Sequence, residues 1–246
     1  MGKDSAIAWT DHTWNPWWGC SKLPDRRECD HCYAEGFAKR VGAHVWGPSA
    51  QRRIASTKVW ADPYVWDRQA AAAGKRAVVF CMSMGDLFEL RPELDEPRKR
   101  AFQVMRETPH LTWLLLTKRV EALELLPHDL GEQRNRILVG ATVGTHRAAH
   151  SPFIVDFISA EPLLEAVDLR SWISWGAKTV IVGAESAGQR PGRECRIEWV
   201  RDIRDQCAEA GVLLFVKQLH IDGKLSHDPA EWPDDLRVRE LAWRLP

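Results

Sequence analysis

Short apolar runs alternate with stretches of helical periodicity along most of the chain. The runs are Ala77–Met82, Leu111–Leu116, Ile137–Val143, Ile154–Ile158, Thr179–Val182 and Val212–Val216. An earlier run at Ala6–Trp9 makes seven. Continuous runs rich in Val, Ile and Leu are the mark of strands buried on both faces, as in a parallel sheet. Between them, helices are predicted over Asp30–Arg40, Tyr64–Ala73, Pro92–Glu107, Arg119–Leu126 and Ile197–Ala210. The last is followed by Gly211, a C-terminal stop signal. Alternating strands and helices predict an α/β fold with a mainly parallel sheet. Seven strands approach the number that a (β/α) barrel needs.

Polar residues follow nearly every run. Ser83, Asp86 and Glu89 follow the second, and Thr117, Lys118 and Arg119 the third. Thr142 and Thr145 follow the fourth, Ser159 and Glu161 the fifth, and Gly183, Glu185 and Ser186 the sixth. Lys217, Gln218 and His220 follow the last. The carboxyl ends of parallel strands form the active face of such folds. Any one of these residues is also explained as a helix cap or a solvated loop charge. Their recurrence at six strand ends is what points to a site.

Composition narrows the class. At 45% hydrophobic and 28% charged, the 246 residues are neither disordered nor fibrous. No apolar run approaches the ~20 residues of a membrane span. Met1–Thr10 has no apolar stretch of the signal-peptide kind. A cytoplasmic protein with reduced thiols is expected. Formal net charge is zero, which excludes a generally cationic nucleic-acid coat. Residues 1–120 carry 19 Lys+Arg against 14 Asp+Glu, the remainder 15 against 20, so an anionic partner suits the first half better.

Three of the six cysteines lie close together, as Cys20-x8-Cys29-x2-Cys32. In a reduced compartment such spacing reads as metal or redox chemistry before disulfides. Three thiolates suit an iron–sulfur cluster with one iron left open, since Cys thiolate is the usual cluster ligand. A Cys3His zinc site completed by His31 or His44 is the rival reading. A thioredoxin-type pair would leave Cys20 unused. Cys81 and Cys207 fall on buried patterns, whereas Cys195 lies in a Gly/Pro/Arg-rich loop and is kept as a candidate for chemistry.

Several motifs together resemble a phage- and prophage-associated, radical-S-adenosylmethionine-like family of largely unassigned function. They are Ala8-Trp-Thr-Asp11, Thr13-Trp-Asn-Pro16, Gly19-Cys20 and Cys29-Asp-His-Cys-Tyr-Ala-Glu35. Further along come Met82-Ser-Met-Gly-Asp-Leu-Phe88, Leu116-Thr-Lys-Arg119, Ser159-Ala-Glu-Pro-Leu-Leu164, Val182-Gly-Ala-Glu-Ser186 and Phe215-Val-Lys-Gln218. The resemblance runs in order from about Ile7 to Gln218. It implies a partial TIM-like (β/α)6–7 barrel of the radical SAM type over 1–218, with 219–246 as an extension packing on it. It also implies a [4Fe–4S] cluster on Cys20, Cys29 and Cys32, with S-adenosylmethionine chelating the fourth iron. One electron from a flavodoxin- or ferredoxin-type donor would cleave the sulfonium and give a 5′-deoxyadenosyl radical, which takes a hydrogen atom from a C–H bond. The cofactor carries the hard chemistry and the protein orients it.

Site roles follow from matching position. Tyr33 and His31 would pack on the adenine or the cluster, and Asp86 would meet the cofactor amine. Ser83, Thr142 and Lys118 would help bind the cofactor. Lys118 and Arg119 would pair with its carboxylate or with a substrate phosphate. Glu161, Glu185 and Lys217 would line the inner mouth as catalytic candidates, joined by Cys195. The sequence departs from the family's pattern in two places. The commonest radical spacing is C-x3-C-x2-C, whereas here the first gap is x8. Gly140–His146 also lacks the acidic and Asn pair expected on the fourth strand.

The resemblance points to phage genomes, and hence to modified DNA bases as substrate. Arg26, Arg27, Lys39, Arg40, Arg52, Arg53 and Lys58 lie among Trp17, Trp18, Trp46, Trp60 and Trp66. Basic residues interleaved with aromatics can track a backbone and stack on a base, with Arg52, Arg53, Trp17 and Trp18 as the leading candidates. Ordinary helix surfaces and core tryptophans explain the same pattern. The favoured activity is hydrogen abstraction leading to rearrangement of an amino-acid-substituted thymidine, in the host cytoplasm if the chain is phage-encoded. A tRNA base or DNA lesion is the alternative substrate. A zinc-bearing nucleic-acid-binding or partner protein without turnover is the alternative of another class. No membrane partner is expected.

Overall fold

The computed structural model describes residues 5–146, 154–186 and 192–245. The α/β expectation holds, with mostly parallel pairing. The chain divides into two compact units: one reaches to Lys22 and takes up again over Phe37–Val139, and the other joins Leu23–Gly36 to the chain from Gly140 onward.

In the first unit, β1 (His12–Trp14), β4 (Ala77–Cys81) and β5 (Leu111–Thr117) pair in parallel, with Trp14 opposite Cys81 and Phe80 opposite Leu114. A short antiparallel pair joins β2 (Trp17–Trp18) to β3 (Arg53–Ile54). The helices are the last turn of α1 (Tyr33–Arg40), α2 (Thr57–Ala72) and α3 (Asp95–Glu107). Aromatic packing builds the core. The Trp14 ring lies 5.3 Å from both Trp60 and Trp113, and its indole N–H donates to the Val59 carbonyl at 2.8 Å. His12 stacks on Trp66 with centroids 4.5 Å apart. Edge-to-face aromatic pairs add about 0.5–1.5 kcal/mol beyond the area they bury.

β6 (Ile137–Thr142) is shared between the two units, which divide at Val139/Gly140. In the second unit its closing half pairs in parallel with β7 (Phe157–Ala160). β8 (Thr179–Gly183) and β9 (Leu213–Ile221) continue in parallel. β10 (Lys224–Ser226) returns antiparallel to β9 through an Asp222-Gly223 turn. Gly140 is required by close packing: a Cβ there would stand 2.3 Å from the Phe157 ring. Short α4 (Arg170–Ser174) and α5 (Ile197–Ala210) complete the unit. Gly211 ends α5 in the left-handed region at φ 65°, as its sequence position predicts. The tail runs beside β9, where Val216 N–H donates to the Val238 carbonyl and Glu240 N–H to the Leu214 carbonyl. Covering an edge strand this way removes a site for unwanted pairing.

Several boundaries move. Ala6–Trp9 is a turn, and the first strand is His12–Trp14, because the Trp9 ring folds onto Phe80 instead of entering the sheet. The strand expected at Ile154–Ile158 begins at Phe157, and Ile154 is exposed. β4 stops at Cys81 because Met82 takes a left-handed conformation, φ 72°. The first helix starts at Tyr33, just after the third cysteine of the motif, not at Asp30. α2 begins at Thr57, because Trp60, Pro63, Trp66 and Ala70 share one buried face that outweighs the single donor Pro63 lacks. Pro92–Leu94 and Val120–Leu125 are 3-10 turns. Among the described residues no helix is long and apolar enough to cross a membrane.

Candidate functional site

Cys20 belongs to the first unit, and Cys29 and Cys32 to the second. All three are free and half-buried, whereas Cys81, Cys195 and Cys207 are free and fully buried. Burial pushes the Cys195 and Cys207 thiols up to about 12, so both stay protonated at neutral pH.

In the first unit, Cys20 follows the β2 turn and meets the end of β5. Its thiol is also pushed up to about 12 by burial, with Asp86 and Glu89 adding to the effect and Arg119 opposing it. Arg119 Nη1 stands 3.5 Å from Cys20 Sγ and 2.9 Å from Asp86 Oδ2, and its second nitrogen donates to the Ser21 carbonyl. Asp86 is fully engaged, accepting also from Thr117 Oγ1 at 2.8 Å and Phe88 N–H at 3.0 Å. It therefore holds Arg119, a role the sequence did not indicate. Ser83 is buried against Asn15, at 3.0 Å. Lys118 is half-buried beside this group. Behind it, Arg52 and Glu89 form a buried two-point pair at 2.9 and 2.7 Å, and Glu89 also accepts from Ser21 N–H at 2.8 Å. Burial would raise the Glu89 carboxyl, but Arg52 and Ser21 outweigh it and hold the group below its usual range. Arg52 is thus a structural residue, and Trp17 is core; neither is available to a nucleic acid. Arg53 and Trp18 stay accessible, with the guanidinium 4.1 Å above the Trp18 ring.

In the second unit, residues 23–36 carry Cys29 and Cys32, and polar side chains pin this loop to the ends of β6 and β8. Arg26 Nη2 donates to the Thr142 carbonyl at 2.7 Å. Glu28 accepts from Gly144 N–H and Thr145 Oγ1, both at 3.1 Å. His31, between the two cysteines, places Nδ1 3.0 Å from Glu185 Oε2 at the end of β8. Glu185 is 4% exposed and also takes Arg193 through its backbone N–H and guanidinium. Burial would raise the Glu185 carboxyl; Arg193 and His31 more than offset it and hold the group below its usual range. Arg193 reaches on to the Arg27 carbonyl at 2.9 Å, so a single guanidinium links β8 to the cysteine loop.

The remaining candidates of this unit flank that network. Lys217 of β9 pairs with Glu161, just past β7, both partly accessible. Tyr33, the first residue of α1, is half exposed. Thr142 Oγ1 and Gln218 Oε1 are buried with no hydrogen-bond partner, a cost that a bound polar group would remove. A cavity of ≈ 370 Å³ beside the loop is lined by Pro24, Arg27, Thr145, His146 and Glu165 among others. Its size lies in the range of small-molecule sites. Sequence reading took Arg26 for part of a basic surface, and missed Glu28 and Arg193. Glu28 lies 116 residues from Gly144, and its partner left no local signal. Ser186 is placed, accepting from Gln218 Nε2 at 2.6 Å.

Among the described residues no three His, Cys, Asp or Glu side chains stand close enough to share a single metal ion. Each of the three motif cysteines keeps a half-buried thiol, and Arg119 directs a guanidinium at the Cys20 sulfur. No curated protein and no solved structure matches the chain. One family model does, over residues 4–229, and the chain accordingly belongs to the family described as "Protein of unknown function (DUF5131)".

Proposed function

We propose that this chain is a radical S-adenosylmethionine enzyme acting on a modified nucleic-acid base. Cys20, Cys29 and Cys32 would hold the cluster, within the partial TIM-like barrel of that superfamily. The reading is carried by the contrast among the six cysteines. The three of the motif are free and half-buried, and the three outside it are buried. When bound, cluster and S-adenosylmethionine supply one-electron chemistry able to take a hydrogen atom from an unactivated C–H bond.

The chain's own residues then bind and orient. Arg119, held by Asp86 and Thr117, places a fixed positive charge against the Cys20 sulfur and favours its thiolate form. Glu185 and Arg193 fix the turn between Cys29 and Cys32 through His31 and the Arg27 carbonyl. The Glu161–Lys217 pair offers one negative and one positive group, one just past β7 and one on β9, across the intervening β8. That is the complement of an amino-acid substituent, whose ammonium meets Glu161 and whose carboxylate meets Lys217. An amino-acid-substituted thymidine in phage DNA fits this pair best, with rearrangement of the substituent as the outcome. Lys118 would meet a cofactor carboxylate or a substrate phosphate.

The test is anaerobic reconstitution followed by iron and sulfide analysis and electron paramagnetic resonance of the reduced protein. About four irons per chain and a signal altered by S-adenosylmethionine are expected. One zinc per chain with no signal would overturn the assignment and favour a zinc-bearing binding protein.

A further inference from the structure

The four side chains Arg53, Trp18, Phe37 and Arg40 form a continuous stack in the first unit. Arg53 lies 4.1 Å over the Trp18 ring, Trp18 meets Phe37 edge-on at 5.8 Å, and Arg40 lies 5.7 Å from the Phe37 centroid. β2 and β3 bring Trp18 and Arg53 opposite each other, since the two residues are register partners. The last turn of α1 supplies Phe37 and Arg40.

The arginines at the two ends are exposed, and the rings between them are half-buried. Among the described residues no carboxylate lies within ion-pair distance of Arg40 or Arg53. Arg52, by contrast, is consumed by Glu89. Two unpaired guanidiniums therefore rest on aromatic faces instead of acids. Val41 and Ile54, next in sequence to Arg40 and Arg53, are 52% and 45% exposed. A guanidinium lying on a ring presents its outer plane for stacking and its N–H edge for phosphate. This combination suits a single-stranded nucleic acid: bases stack on the flat groups and the backbone meets the charges.

We infer that Arg53, Trp18, Phe37 and Arg40 form the surface along which a single-stranded stretch of nucleic acid lies. The inference rests on the nucleic-acid reading above and replaces Arg52 and Trp17 as its contacts. An enzyme acting on a base needs that base out of the duplex, and the unpaired strand beside it then needs a place to lie. Trp18 stands two residues before Cys20 in the chain.

The test is fluorescence anisotropy of a labelled oligodeoxythymidylate of about 12 nucleotides, a length within the usual site sizes. It is titrated with the full, anaerobically reconstituted chain over a range of NaCl concentrations. The wild type is expected to bind with salt-dependent affinity. Arg40→Ala/Arg53→Ala should weaken binding about tenfold or more at low salt and lower the salt slope by about 1.4, some 0.7 for each lost phosphate contact. Arg53→Lys should keep the slope but not the affinity, because an ammonium does not stack as a guanidinium does. Unchanged affinity and slope in the double variant would overturn the surface. Full affinity in Arg53→Lys would do the same, since charge alone would then suffice, as for an acidic protein partner. Iron content of the same preparations separates the two proposals. A chain that loads iron but ignores the oligonucleotide refutes this surface alone. One that binds the oligonucleotide without iron refutes the radical reading alone.

Discussion

Cys20 and the Cys29–Cys32 turn are supported by different physics. Around Cys20 the support is closed: Arg119, Asp86, Thr117, Ser21, Glu89 and Arg52 satisfy one another in a buried network beside an aromatic core. Around Cys29 and Cys32 the support is reached for: Arg26, Glu28, His31 and Arg193 extend between a loop and the ends of β6 and β8. A closed buried network is costly to break, because each lost partner leaves a desolvated charge behind. The Arg26 and Glu28 contacts are buried but those of His31 and Arg193 are partly solvated, and a loop held in part by solvated contacts opens at lower free energy. The first arrangement holds Cys20 rigidly, and the second leaves Cys29 and Cys32 adjustable.

The contrast is tested most severely at the cysteines. Cys29→Ala should abolish cluster binding and S-adenosylmethionine cleavage together, while Cys81→Ala should leave iron content at the wild-type level. Iron analysis reads both, and an intact cluster in Cys29→Ala would refute the ligand assignment.

Breaking the closed side should cost stability. Arg52→Ala leaves Glu89 buried without its partner and should destabilise the fold by about 3–5 kcal/mol. Denaturant unfolding measures this. A loss below about 1 kcal/mol would mean the network is not closed as described.

The same pair sets an acid limb. The folded Glu89 carboxyl lies below its usual value of about 4.3, so its contribution is complete above about pH 5. It is lost as pH falls through the usual range toward the lowered folded value. Stability measured from pH 6 to 3 should therefore fall more steeply in wild type than in Glu89→Gln; parallel curves would contradict the pairing.

On the open side, Glu185→Gln should leave global stability nearly intact, since Gln still accepts from Arg193. It should raise amide exchange in residues 26–32 several-fold and lower iron retention under chelator. Equal exchange would show that the loop is held by other means. The smallest effect belongs to Lys118→Ala, which should weaken cofactor or substrate binding and spare iron; a fall in iron would put Lys118 with the cluster ligands.

Most of the parallel strands were legible because each needs only a local condition, a run of Val, Ile and Leu bounded by polar residues. Ile197–Ala210 with Gly211 was read to the residue because its stop signal is local as well. The misplaced start at Ala6–Trp9 shows the limit: an apolar run says that residues are buried, not whether they pair or fold over as a turn. The chemistry divides the same way. The cysteine spacing and the strand-end residues stood in the sequence. The partners of Asp86, Arg26 and Glu185 did not, since each lies on another segment.

By itself, then, the sequence determined the α/β alternation, the three-cysteine motif and which strand ends carry polar groups, because periodicity, spacing and order are properties of a chain read in one dimension. Tertiary structure decided which charges are spent. Arg52 and Arg53 are adjacent and chemically identical. One is buried against Glu89 and the other rests open on Trp18. Arg52 lies just before β3 and turns in to Glu89, Ser21 and the Val45 carbonyl, while Arg53 opens β3 opposite Trp18, so the partners that distant segments bring assign each role.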